Sequence, residues 1–92
     1  MSRWDYTLKS GKQLRDSINA DDSEAVLTAL LQCWNEIDHM DKNLPFVDEY
    51  IIEIEDTLED IAEGTMVTYS DVDSLLSDLY DYCDTNRIWV DL

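Results

Sequence analysis

The 92 residues hold 22 Asp or Glu against 6 Lys or Arg, a formal charge of −16 at pH 7, while 45% of the chain is hydrophobic and 10% aromatic. So acidic a chain lacks the cationic footprint that nucleic-acid binding needs and would be repelled by an anionic membrane leaflet; nor does it hold the run of about 18 apolar residues that spans a bilayer. Its aromatic content sets it apart from disordered acidic chains, so one folded, soluble domain over residues 1–92 is expected.

Trp4, Tyr6 and Leu8 alternate with Arg3, Asp5 and Thr7, the period-2 pattern of a half-buried strand over 4–8. Ser10-Gly11-Lys12-Gln13 has capping-box spacing and opens a short helix that turns Leu14 and Ile18 inward and stops near Asn19. Asp21-Asp22-Ser23-Glu24 then places a cap and first-turn acids ahead of a long helix reaching about Asp41. Its inner side carries Val26, Leu27, Leu30, Cys33, Trp34, Ile37 and Met40, and Leu44-Pro45 bars further helix. A third helix is predicted over 46–63, with Val47, Tyr50, Ile51, Ile54, Leu58, Ile61 and Ala62 at 3–4 spacing and Gly64 as its stop. After a β-prone link from Thr65 to Tyr69, Ser70 and Asp73 have the spacing to cap a fourth helix over 71–85. Its inner face holds Val72, Leu75, Leu76, Leu79 and Cys83. Residues 87–92 alternate again and are expected to be extended, able to pair with 4–8, since a lone strand leaves its backbone unsatisfied. The predicted class is mainly α, a compact bundle of three to four helices, extended to α+β where the terminal segments form a small two-stranded ribbon.

The charge is uneven along this plan. Residues 1–20 set Arg3, Lys9, Lys12 and Arg15 against Asp5 and Asp16, a net of +2, which leaves −18 on residues 21–92. From Asn43 to Asn86 there are thirteen acids and no Lys or Arg. On the third helix Glu49, Glu53, Asp56, Asp60 and Glu63 follow each other at spacings of 4, 3, 4 and 3, which makes one stripe, widened by Asp48, Glu55 and Glu59. At about 1.5 Å rise per residue, the five stripe carboxylates are about 5 Å apart along the axis. The fourth helix adds Asp71, Asp78, Asp81 and Asp84 outside its apolar face. Exposed faces ordinarily mix signs, because Glu four residues before Lys stabilises a helix and like charges at that spacing destabilise it. Here Glu49/Glu53, Glu53/Asp56, Asp56/Asp60 and Asp60/Glu63 are all repulsive, at a cost on the order of 1–2 kcal/mol at low salt. A face that keeps such pairs points to a functional anionic surface for a cationic groove, and deep cationic grooves belong above all to proteins that hold nucleic acid.

In size and in these two sets of acids, the chain resembles the small acidic inhibitors of phages and mobile elements, the anti-restriction and anti-CRISPR proteins that look like DNA to their targets. The resemblance implies a phage protein at work in the host bacterial cytoplasm. Its partner would be a basic nucleic-acid-binding protein, a nuclease such as a CRISPR effector or restriction enzyme, whose DNA-binding cleft it occludes. On this reading Asp48, Glu49, Glu53, Glu55, Asp56, Glu59, Asp60, Glu63, Asp71, Asp78, Asp81 and Asp84 meet the partner's arginines and lysines. Tyr80 and Tyr82, with Tyr69, are candidate anchors, since Tyr beside Asp supplies rigid area and a hydroxyl. Trp34 and Tyr50 fall on inner stripes and belong to the core. The competing reading is an acidic adaptor or immunity-type partner that neutralises a basic protein without imitating DNA. A structural subunit would show an exposed apolar patch in place of the acidic face.

Other motifs are incomplete. Glu36 and His39 make one Glu-x-x-His pair, half of what a di-iron bundle needs unless a symmetric dimer completes it; the plainer reading is a histidine near a helix C-terminus. Asp71-Val72-Asp73 and Asp84-Thr85-Asn86 lack the glycine and glutamate that complete an EF-hand loop. Two glycines, Gly11 and Gly64, build no phosphate-cradling loop. No enzyme activity, metal or cofactor is expected. Cys33 and Cys83 lie on apolar stripes and are too few for a disulfide scaffold, and no apolar leader follows Met1-Ser2-Arg3, so reduced thiols and a cytoplasmic location are expected.

Overall fold

The computed structural model describes residues 4–40, 44–65 and 67–90, and six elements follow in the predicted order. They are β1 (Tyr6–Thr7), α1 (Gly11–Asn19), α2 (Ser23–Asp38), α3 (Val47–Ala62), α4 (Tyr69–Thr85) and β2 (Ile88–Trp89). The predicted ends at Asp41, Asp91 and Leu92, and Met66 in the predicted link, lie outside the described residues.

α2 is the axle. Val26, Leu27, Ala29, Leu30, Cys33, Trp34 and Ile37 are all buried, an arc wider than one amphipathic stripe, so it takes more than one neighbour to cover it. α1, α3 and α4 all pack on α2, and the result is a slab of 46 × 26 × 18 Å. α3 contributes buried Val47 and Ile54, and α4 contributes Val72, Leu75, Leu79 and Cys83. Tyr50 of α3 stacks on Trp34 at 4.4 Å and 6°, and Tyr82 of α4 meets both rings edge-on at 5.0 and 5.7 Å. The Tyr82 hydroxyl donates to the Pro45 carbonyl at 2.6 Å. α3 and α4 thus flank α2 and meet at one end through aromatic rings; they are not packed side by side along their lengths, as a single two-helix acidic surface would require.

The terminal strands do pair, and in parallel: Tyr6 lies opposite Ile88 and Thr7 opposite Trp89. A parallel pair needs a long crossover, supplied here by all four helices. Two residues per strand make a weak ladder, reinforced by hydrogen bonds from Asp5 N–H to the Arg87 carbonyl and from Leu8 N–H to the Trp89 carbonyl, both 2.8 Å. Arg87, in the left-handed region at φ 61, turns the chain out of α4, and its Nε lies 3.3 Å from Asp5 Oδ1. The Trp4 and Trp89 rings pack at 5.2 Å beside this turn.

The helix ends correct several expectations. Ser10 stands ahead of α1 in helical geometry and makes no side-chain cap. The amides of that turn are satisfied from a distance instead: Lys9 N–H and Ser10 N–H donate to the Glu36 carboxylate at 2.9 Å each, and the Tyr6 hydroxyl donates to it at 2.7 Å. α1 packs mainly on α2, so Leu14 is buried but Ile18, in the last turn, is 36% exposed. At α2 the expected cap holds, with Ala25 N–H donating to Asp22 Oδ1 at 3.2 Å. α2 ends at Asp38, three residues short of the prediction, because His39 and Met40 already close the turn through bonds to the Asn35 and Ile37 carbonyls. α4 starts at Tyr69 and is capped by Thr68 and Asp71 in a complete capping box, two residues before the Ser70 and Asp73 that the sequence favoured. The earlier box wins because Thr68 has the extended backbone a cap needs, φ −86 and ψ 160. Gly64 acts as predicted: at φ 88 it ends α3, with Thr65 N–H on the Asp60 carbonyl and Gly64 N–H on the Ile61 carbonyl, a Schellman closure. Ala62, placed inward by its spacing, is exposed, since it falls at the edge of the apolar arc while its neighbour Ile61 packs on the core.

Candidate functional site

The candidate surface is the outer face of α3. Its core-facing positions alternate at three and four residues, which turns every acid of the helix outward. Asp48, Glu49, Glu53, Glu55, Asp56, Glu59, Asp60 and Glu63 are all exposed, and no Lys, Arg or His interrupts them. From residue 48 to 63 the axis advances about 22 Å, so eight carboxylates follow at a mean axial interval of about 3.2 Å. A single DNA strand carries one phosphate per about 3.4 Å. The charge sits at the right end for Asp48 and Glu49, in the first turn against the positive end of the helix dipole. The later acids gain nothing from that dipole, and Glu59, Asp60 and Glu63 stand at its negative end.

The acids of α4 do not join this face as one set. Asp78, half-buried, and exposed Asp81 line an open groove of about 380 Å³ with Pro45, Tyr50, Tyr82 and Asn86, which connects them to the first turn of α3. Asp71 is exposed, but its Oδ2 accepts from Thr68 N–H at 3.2 Å and from the Thr68 hydroxyl at 3.0 Å, so this carboxylate holds the cap. Asp84 lies by the terminal ribbon, lining a second recess with Trp4, Trp89 and Tyr80. Tyr80 and Tyr82 therefore point to opposite sides of α4. Both are half-buried, and burial pushes their phenols above the usual tyrosine range, so they remain neutral at physiological pH. Tyr69 is the more open, at 64% exposure.

Two outward side chains were not singled out from sequence. Ile52 is 57% exposed in the middle of the acidic face, with Asp48, Glu49, Glu55 and Asp56 at i−4, i−3, i+3 and i+4 around it. Phe46, 64% exposed, stands at the start of α3 in the left-handed region at φ 68, a conformation that is uncommon for a bulky residue. Ile52 could have been found by asking which apolar residue falls on the polar arc; the backbone of Phe46 has no sequence signature.

Glu36 and His39 are each engaged within the fold. Desolvation raises the Glu36 carboxyl, but the donors from Lys9, Tyr6 and Ser10 outweigh it and hold it below the usual carboxylate range. His39 turns its Nδ1–H to the Asn35 carbonyl at 2.6 Å, a helix-end role. Among the described residues no group of three His, Cys, Asp or Glu is placed to hold a metal ion, and no helix is long and apolar enough to cross a membrane. Cys33 and Cys83 are both buried and unbridged, and burial pushes each thiol up to about 12.

Comparison with known protein families, with curated proteins and with solved structures finds no significant match.

Proposed function

We propose that this chain is a DNA-mimic inhibitor of the anti-CRISPR or anti-restriction kind, which occupies the cationic nucleic-acid-binding cleft of a bacterial defence nuclease by electrostatic and steric competition. One observation carries the reading: eight exposed, cation-free carboxylates on α3 repeat at about the interval of phosphates along a strand. Opposite fields speed the encounter, and the carboxylates then take the arginines and lysines that would hold phosphates. No bond is made or broken.

Ile52 favours a second reading. An aliphatic side chain ringed by acids has no counterpart on a phosphate backbone, but it is what a partner with an apolar dimple among its cations would accept. On that reading the chain is an acidic adaptor or immunity-type partner that neutralises a basic protein without competing for DNA.

The test is DNA cleavage by purified CRISPR effectors and restriction nucleases with equimolar wild-type protein or with the Glu53→Lys, Asp56→Lys, Asp60→Lys triple variant. The wild type should block at least one nuclease, and the triple variant should fail while folding at least as stably. Unhindered cleavage across the panel, or equal inhibition by the triple variant, would remove the α3 face from the account.

A further inference from the structure

A second feature lies away from the α3 face. The end of α1 and the starts of α2 and α4 converge on a recess of about 100 Å³. Its floor is apolar, with Val72 and Leu76 of α4 beside Ile18 of α1, and Tyr69 stands at its edge. Ile18 and Tyr69 are two of the five large apolar side chains exposed among the described residues, so this small area gathers a large share of them.

The rim is acidic. Asp21, at φ 55 in the left-handed turn that ends α1, accepts from the Tyr69 hydroxyl through Oδ1 at 3.1 Å. Asp22 accepts from Ala25 N–H through Oδ1, leaving its second oxygen, like that of Asp21, without a partner among the described residues. Asp73 makes no hydrogen bond or ion pair among them, and no Lys or Arg lines the recess.

The chemistry of an occupant follows from these parts. An apolar ligand would use the floor but none of the three exposed carboxylates on the rim. A bare divalent ion would gain nothing from the floor, and the carboxylates do not converge as one ion would need. What fits is a cation on an aliphatic stem. Between the two natural choices, the guanidinium is planar, weakly hydrated and five-donored, so it can address separated carboxylates and lie against the Tyr69 ring, whereas an ammonium is a compact, strongly hydrated point charge. The stem then covers Ile18 and Leu76.

We propose that this recess is a socket for an arginine side chain presented by a basic protein partner. It is separate from the α3 face, and its occupancy does not depend on the mimic reading.

The experiment is a methyl-NMR titration of the full chain with three probes: acetyl-arginine amide, acetyl-lysine amide and acetyl-norleucine amide. The arginine probe should give saturable shifts at the methyls of Ile18, Val72 and Leu76 and bind more tightly than the lysine probe, with the norleucine probe weakest. Tyr69→Leu, at an exposed position, should weaken the arginine probe roughly two- to fivefold. Asp73→Asn should weaken it as well, and both variants should keep the wild-type spectrum elsewhere. Equal shifts at the Ile52 methyl would show diffuse counterion binding and overturn the socket. So would equal affinity for all three probes, or Ca²⁺ shifting the same methyls and displacing the arginine probe.

Discussion

Glu36 is the point at which one substitution should loosen the join between the terminal ribbon and the helices. Glu36→Ala removes the acceptor for the Tyr6 hydroxyl and for the Lys9 and Ser10 amides, at 2.7, 2.9 and 2.9 Å. Lys9 is exposed and recovers its bond from water, so two part-buried bonds to a charged acceptor remain, each worth about 1.5–3 kcal/mol. The expected loss is about 3–6 kcal/mol, which at about 5 °C per kcal/mol for a chain of this size lowers Tm by roughly 15–30 °C. Glu36→Gln keeps one acceptor oxygen and should lose about half as much. The pH dependence has a definite sign. Because the folded carboxyl sits below its ordinary value of 4.5, the unfolded chain binds the proton first; the stabilisation is complete above that value and disappears as pH falls through the folded one. Acid also relieves the repulsion along α3, so the informative quantity is the difference in urea stability between wild type and Glu36→Gln, which contains that relief equally on both sides. The difference should be constant from pH 8 to 6 and shrink toward pH 3. A Tm change under about 4 °C for Glu36→Ala, or a difference that does not move with pH, would refute the reasoning.

Thr68→Ala should cost about 1 kcal/mol in urea unfolding through loss of the α4 cap, and Ser70→Ala should be close to neutral; the reverse order would restore the cap that the sequence favoured. Gly64→Ala meets no atom within 4 Å, so its expected cost of about 1–2 kcal/mol is purely that of φ 88, and a neutral result would contradict the closure seen at the end of α3. Cys33 and Cys83, with thiols pushed up to about 12, should resist a thiol reagent at pH 8 in the native protein and react in urea; fast native labelling would show that α2 and α4 open there.

The helices were legible because each repeats its apolar residues at three and four, and α2 and α3 also carry a recognisable start or stop in Asp22 and Gly64. Long-range compensation was not. Glu36 reads in sequence as a metal-ligand spacing with His39, but its partners are 26 to 30 residues away, and only the fold brings them together. The acids of α3 could be placed outward from spacing alone, since all of them lie off one apolar stripe. Their relation to α4 could not, because the width of the apolar arc on α2, which decides that α3 and α4 flank it, becomes informative only once three helices compete for it. Ser10 and Ser70 show the limit of capping motifs: two boxes of equal spacing differ in the backbone geometry their neighbours impose.

The most direct test of the central claim is competition with duplex DNA for a nuclease that the protein inhibits. The labelled protein, bound to the nuclease at low salt, is titrated with unlabelled duplex carrying the nuclease's site. A mimic that fills the DNA cleft is displaced completely, and its apparent affinity falls in proportion to the duplex concentration. A ternary complex, with protein still bound at saturating duplex, would contradict the account and establish an acidic adaptor acting from a separate site.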